Sequence, residues 1–255
     1  MRMPRFLLAR TCSPYPLLPV LLPTLLFLLL SNNLLAAPMV EVIALRGSGE
    51  VIANGKTTAL AVGLQLQQGA EIRTHSPGRA KLRFPDNSVV IVSDASRMTI
   101  EQLTEEAAVN TKPSAFVSEL FTHQAKQLTQ VQLMLATGLI GQQVTPGEEK
   151  SWSVRSRSSV TAVRGTEFQV AVNPDQTSEI HISSGSISVT PVTTASPQTA
   201  RQQTTRQQTD AQGATRFVLD QPNQGIDCRL NLGCDQPKVW GAKRVNAMLE
   251  RLSGI

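Results

Sequence analysis

Residues 79–92 read Arg79-Ala80-Lys81-Leu82-Arg83-Phe84-Pro85-Asp86-Asn87-Ser88-Val89-Val90-Ile91-Val92. Ala80, Leu82 and Phe84 alternate with three cations, a period of two that sends apolar side chains to one face of a strand and charges to the other. Pro85 to Ser88 is turn chemistry, because proline presets one backbone angle and Asp and Asn bond to the chain just ahead. Val89 to Val92 then opens a second strand that stops at Asp94. The stretch is strand, turn, strand.

The same rhythm extends in both directions. Upstream, Val40 to Leu45 is an apolar run, and Val51 and Ile52 lead into Asn54-Gly55, a strong hairpin signal. Leu60, Val62, Leu64 and Leu66 alternate and predict a strand, and Ser76-Pro77-Gly78 predicts a turn. Downstream come Val131, Leu133 and Leu135, then Leu139 to Val144, the Pro146-Gly147 turn, Trp152 and Val154, and the trio Phe168, Val170 and Val172. After Asn173-Pro174-Asp175 follow Ile180 and Ile182, the Ser184-Gly185 turn, and Ile187 and Val189. Turns every ~8–12 residues define an all-β chain, either β-solenoid-like or a sandwich of short strands. Phe84, Trp152 and Phe168 lie in phase with the apolar faces and are expected in the core. Glu101 to Gln130 breaks the pattern, and Phe116, Leu120, Phe121 and Leu128 suggest helical turns in a surface excursion.

The chain has 255 residues, and its formal charge of +5 invites a search for a basic face. Three of the 24 basic residues are Arg2, Arg5 and Arg10, and no acid precedes Glu41, so the remainder carries 21 bases against 19 acids. No cluster of the kind that displaces counterions from phosphates is present, and nucleic acid is not an expected partner. The three arginines precede an interrupted apolar run from Leu17 to Leu30, then Ser31, Asn32 and Asn33 and the small Ala36 and Ala37, the layout of a secretory signal peptide over residues 1–37. Pro19 and Pro23 break that run, so a cleaved leader is favoured over a membrane anchor, with no integral span left after cleavage. The expected location is the periplasm or the exterior.

Residues 38–192 are expected to form the β domain. Residues 193–214 are Thr- and Gln-rich and lack apolar residues larger than alanine, which predicts a disordered linker. Residues 215–255 form a tail. There Ala242, Val245, Leu249 and Leu252 recur at helical spacing and predict a small amphipathic C-terminal helix that docks on its own β unit or on another protein. Cys12 falls in the leader, which leaves Cys228 and Cys234. An even pair in an oxidising compartment predicts a disulfide bond.

Two blocks carry a family resemblance. Gln68-Gly69-Ala70-Glu71-Ile72-Arg73-Thr74 followed by Ala80 to Ser88, and Val160-Thr161-Ala162-Val163-Arg164-Gly165-Thr166-Glu167-Phe168-Gln169-Val170 with Ser184 to Val189 behind it, resemble the FecR domain. The resemblance spans about Val40 to Thr190. It implies a β-solenoid-like periplasmic module that contacts other proteins, as in regulators linking an outer-membrane receptor to a cytoplasmic sigma factor. Only fourteen residues precede Tyr15 and the apolar run, so a cytoplasmic sigma-binding domain is not expected, and the tail does not resemble those regulators' receptor-facing subdomain.

Arg164, Gly165 and Thr166 form the signature. Gly165 can mark a backbone position closed to a Cβ, with Arg164 and Thr166 hydrogen-bonding the crowded chain around it. Alternatively, Arg164 is an exposed contact for an acidic partner. The first reading is preferred, because glycine between two alternating strands marks close backbone approach. No nucleophile elbow, zinc-helix motif or phosphate loop occurs. His75, His123 and His181 are too far apart for local metal ligation and are expected to be satisfied or on the surface. No enzymatic activity, cofactor or metal is therefore expected. The leading expectation is a protein-interaction, scaffolding or envelope-signalling module with an envelope protein as partner. The second candidate is binding of peptidoglycan or surface polysaccharide, by polar groups rather than aromatic stacking.

Overall fold

A computed structural model describes residues 37–107, 127–147, 150–192, 208–209 and 215–255. The leader, the predicted helical turns around Phe116 to Phe121, and most of the expected linker lie outside these residues. The chain runs through strands β1 (Val40–Ala53), β2 (Lys56–Ala59), β3 (Gln65–Leu66), β4 (Glu71–Arg83), β5 (Val89–Val92), β6 (Arg97–Ala107) and β7 (Gln127–Gln143). Next come β8 (Ser151–Arg155), β9 (Ser159–Val163), β10 (Glu167–Val172), β11 (Ser178–Ser184) and β12 (Ile187–Pro191). The last elements are β13 (Gln208–Thr209), β14 (Thr215–Leu219), β15 (Gln224–Arg229), β16 (Gly233–Cys234), β17 (Lys238–Val239) and helix α1 (Ala242–Glu250). The protein is all-β with one small C-terminal helix, as the alternating pattern requires.

Pairing divides the strands into two layers. The first runs β2, the end of β1, the start of β4, β6, the start of β7, β8, β9, β12, β14 and β13. The second runs β3, the start of β1, the end of β4, β5, the end of β7, β10, β11 and β15, which also carries β16 and β17. The pairing of β7 with β8 is parallel and the rest of the described ladder is antiparallel. Strands β1, β4 and β7 belong to both layers. β1 and β4 bend where their register shifts between Gly47 and Gly49, opposite Gly78, and β7 leaves β6 at Thr137 and joins β10 from Gly138.

Ile100, Leu133, Trp152 and Val189 of the first layer and Val90, Phe168, Val170 and Ile180 of the second form one buried core. Phe84 meets Trp152 edge to face at 4.8 Å, and the Trp152 indole N–H donates to Gln142 Oε1 at 2.8 Å, which satisfies its polar end inside the core.

Four sequence expectations change. Leu60 to Leu66 is not one strand: Leu64 N–H donates to Ala61 O, so the chain turns, Val62 is exposed, and only Gln65–Leu66 pairs. Ser76-Pro77-Gly78 does not end a strand, since β4 runs through it beside the bend of β1, with a cis Ser76–Pro77 peptide. The excursion is narrower than Glu101 to Gln130, because β6 and β7 stay paired out to Ala107 and Gln127. Within 193–214, Gln208 and Thr209 pair with Arg216 and Thr215.

The tail joins the β domain directly. β14 extends the first layer beside β12, and β15 extends the second beside β11, so strands continue beyond Thr190. α1 lies on the outer face of the second layer, where Val245, Met248 and Leu252 pack with Trp240 on Leu139, Ala171 and Ile91. The stripe therefore passes through Met248, while Leu249 is 36% exposed and Ala242 faces solvent. Nine residues are too few for a stable isolated helix, and this packing sustains it. Carbonyls at its end accept from side chains of the domain: Arg79 donates to Arg251 O and Ser253 O, Ser93 to Arg251 O, and Arg46 to Gly254 O. A Cβ at Gly225 would stand 2.1 Å from the Trp240 indole, so the bare backbone there is the seat of that ring. Residues Ala37–Ile255 thus form one compact unit. No helix among the described residues is long and apolar enough to cross a membrane.

Candidate functional site

Arg164, Gly165 and Thr166 turn the chain from β9 into β10. Gly165 has φ +59°, and a Cβ there would lie 2.8–2.9 Å from Pro146 Cγ, Cα and Cβ. Both the backbone angle and the space exclude a side chain. The buried Thr166 hydroxyl donates to Arg164 O at 3.2 Å and Ser186 O at 3.0 Å, and Thr166 O accepts from Val144 N–H. Gly165 and Thr166 hold the frame. The Arg164 guanidinium does not bond the surrounding chain as expected: it is exposed, with no hydrogen bond or ion pair among the described residues.

It borders an open groove of about 430 Å³ on the outer face of the first layer, across β8, β9, β12 and β14. Lys150, Arg164 and Arg216 supply its charge, Ala162 and Ser188 its floor, and Val218 part of its wall; among the described residues no acid lines it. Arg216 donates to Ser188 Oγ at 2.7 Å, a neutral acceptor, and has no carboxylate partner among the described residues. Lys150 is paired with Asp86 beneath the rim, donates to Ser88 Oγ at 2.7 Å and Thr145 O at 2.8 Å, and lies 5.1 Å from the Trp152 ring centroid. Burial pushes its ammonium below the ordinary lysine value, while Asp86 pulls the other way.

Seven arginines elsewhere are paired with carboxylates. Arg73 and Arg97 share Glu71, Arg83 meets Glu41, Arg155 meets Glu101, Arg229 meets Asp235, Arg244 meets Asp227 and Glu179, and Arg251 meets Asp94. Arg164 and Arg216 both line the groove, and neither has a carboxylate partner among the described residues. Planar guanidinium forks take carboxylates and other oxyanions in two-point contacts. Lys150 and Arg216 escape sequence reading, Arg216 because it lies beyond the linker; the alternation of Phe217 and Leu219 is the signal that it sits on a strand.

The second polar cluster serves the tail. His181 is buried, its Nδ1 is 2.6 Å from Gln169 Oε1, and its ring stacks on Trp240 with centroids 5.5 Å apart. Arg244 covers Trp240 at 3.5 Å and is held by Asp227 and Glu179. Burial, then the Arg244 cation, lowers the His181 pKa against a raising hydrogen bond from Asn223. Burial alone would lower the Arg244 pKa, but Asp227 and Glu179 outweigh it and raise it. Cys228 and Cys234 are joined by a disulfide across the β15–β16 hairpin, with Cα atoms 3.9 Å apart. His75 contacts Ser48 Oγ through Nδ1, and His123 lies outside the described residues. Among the described residues no three His, Cys, Asp or Glu side chains gather as a metal site. Phe84, Trp152, Phe168, Phe217 and Trp240, all the aromatic side chains of those residues, are buried.

The site is thus a glycine-framed Arg-Gly-Thr turn at the edge of a basic groove on an all-β unit. Residues 70–188 match the family described as FecR protein. The match takes in all but the edges of the two signature blocks and most of the groove, and stops before Arg216. No curated protein sequence matches the chain. Among solved structures, two crystal structures of a provisionally assigned anti-sigma factor from Parabacteroides distasonis ATCC 8503, at 2.50 and 1.65 Å, share 19% identity with it. Their TM-scores are 0.45 and 0.44; 70% of this chain is covered, and it spans 63% and 64% of theirs.

Proposed function

We infer that this chain is an exported, non-enzymatic regulatory protein that works in the periplasm or at the cell exterior by binding another envelope protein, as a signalling or scaffolding module. The match of residues 70–188 to the FecR family supports a regulatory role in envelope signalling. The observation that carries the protein-binding reading is the open groove beside the family signature, where Arg164 points into solvent unpaired while the rest of the turn is locked. The basic leader with its small-residue end supports export. Burial of every described aromatic ring removes the stacking faces a glycan site uses, which favours a protein partner over peptidoglycan.

Photo-crosslinking in intact cells tests this. A photoreactive residue at Ala162, on the groove floor, is expected to capture one discrete envelope protein, while the same residue at exposed Leu232 of the tail hairpin is not. Intact mass of the periplasmic or secreted form is expected to begin near Ala37. A product retained with residues 1–36 in the membrane overturns the location. Co-sedimentation with purified peptidoglycan, together with no discrete protein adduct, overturns the partner.

A further inference from the structure

We propose that the Arg164–Arg216 groove docks an extended, carboxylate-bearing peptide segment of a partner protein, and that the C-terminal tail completes this site by contributing Arg216. The inference rests on the protein-binding reading above and names the chemistry of what is bound. Charge comes first: among the described residues the lining carries three cations, one of them neutralised by Asp86, and no acid. Two guanidiniums without a carboxylate among the described residues, one just beyond the end of β9 and one on β14 with β12 between them, suit an occupant with two carboxylates rather than one.

Shape points the same way. A volume of about 430 Å³ falls in the ~300–1,000 Å³ range of sites that enclose a sizeable ligand, well beyond a lone ion. The floor is built of small side chains, Ala162 and Ser188, from adjacent strands β9 and β12, so an extended chain can lie close to the sheet. Position is preorganised at one end by a side-chain bond and at the other through the backbone alone. The Arg164 backbone is clamped by Thr166, and Arg216 is steered by Ser188. Held donors lose less freedom on binding. The opposite layer cannot serve the same purpose, because its outer face is covered by Trp240 and α1. The tail thus has two roles: α1 closes one face, and β14 arms the other.

The test uses the purified protein and an N-acetylated, C-amidated hexapeptide of alternating Asp and Ser, with the matching Asn–Ser peptide and inorganic phosphate as controls. Amide chemical-shift titration is expected to show saturable changes centred on Ala162, Arg164, Ser188 and Arg216 with the Asp peptide and none with the Asn peptide. Arg164→Gln and Arg216→Gln are each expected to weaken binding about tenfold, the effect of losing one charge-assisted contact, while Arg157→Gln, an exposed arginine outside the groove, leaves it unchanged. Unchanged melting temperatures in all three variants keep the result a statement about binding. The proposal is overturned if the Asn peptide binds equally, if either groove variant binds as the parent does, or if phosphate displaces the Asp peptide at lower concentration than the peptide itself binds. Discrete crosslinks from Ala162 with no Asp-peptide binding would refute the acidic-segment chemistry and leave the protein-binding function standing; loss of the crosslinks as well would remove both.

Discussion

Replacing Gly165 with alanine tests the frame of the site in one methyl group. The perturbation has two parts. An L-residue at φ +59° costs about 1–2 kcal/mol in the left-handed region. The new Cβ also falls 2.8–2.9 Å from three Pro146 atoms, one of them the backbone Cα, so the neighbouring turn must move, an overpacking of about 1–3 kcal/mol. Together these give about 2–5 kcal/mol, which for a unit of this size lowers the melting temperature by roughly 4–20 °C. Gly55→Ala is the internal reference: its φ is +73° but nothing lies within 4 Å of the added Cβ, so only the backbone part, about 1–2 kcal/mol, applies. Urea unfolding followed by the fluorescence of buried Trp152 and Trp240 measures both. Arg164→Ala, at an exposed side chain, should cost under about 0.5 kcal/mol. Equal losses for Gly165→Ala and Gly55→Ala would refute the Pro146 contact as the reason for the glycine.

The tail provides the remaining predictions. Trp240→Ala empties the seat over Gly225 and should destabilise the whole unit by about 3–5 kcal/mol in the same urea assay, whereas a change confined to tail proteolysis would show that the tail unfolds separately. His181 has a folded pKa below its unfolded value, so the unfolded chain binds more protons in the window between them; stability should be full above about pH 7 and fall as pH drops through about 6.5 toward the folded pKa. That slope should vanish in His181→Gln, as read from denaturant midpoints across pH 5–8. The Cys228–Cys234 bridge closes a loop with a sequence separation of 6, so reduction should cost about 2 kcal/mol or less, and alkylation of the unreduced protein should label neither sulfur.

Much of the fold was legible because burial in a layered sheet writes itself into a period of two. Ala80, Leu82 and Phe84, and later Phe168, Val170 and Val172, alternate in sequence, and the side chains among them that face the core are buried. The pattern misled where local hydrogen bonding overrode it: Leu60 to Leu66 has the right period, but the Ala61–Leu64 turn breaks the strand. It was silent where structure depends on distant partners. Nothing near Trp240 says that a bare Gly225 awaits it, so docking of the tail on its own domain could not be read from the helical stripe. At the site, the need for glycine at 165 was visible in the signature. The freedom of Arg164 was not, because it depends on which side chains β12 and β14 place across from it.

Strands β1, β4 and β7 have a mechanical consequence. Each is a single covalent rod with one end in either layer, so the layers cannot slide past or peel from one another along a seam. A pull on β8 beside the groove bears directly on the start of β7 and is carried by chain connectivity to its far half, where Leu139 packs against the helix. Tension at the mouth of the groove is therefore shared by ladders on both sides of the molecule, in shear, before any strand is free to let go.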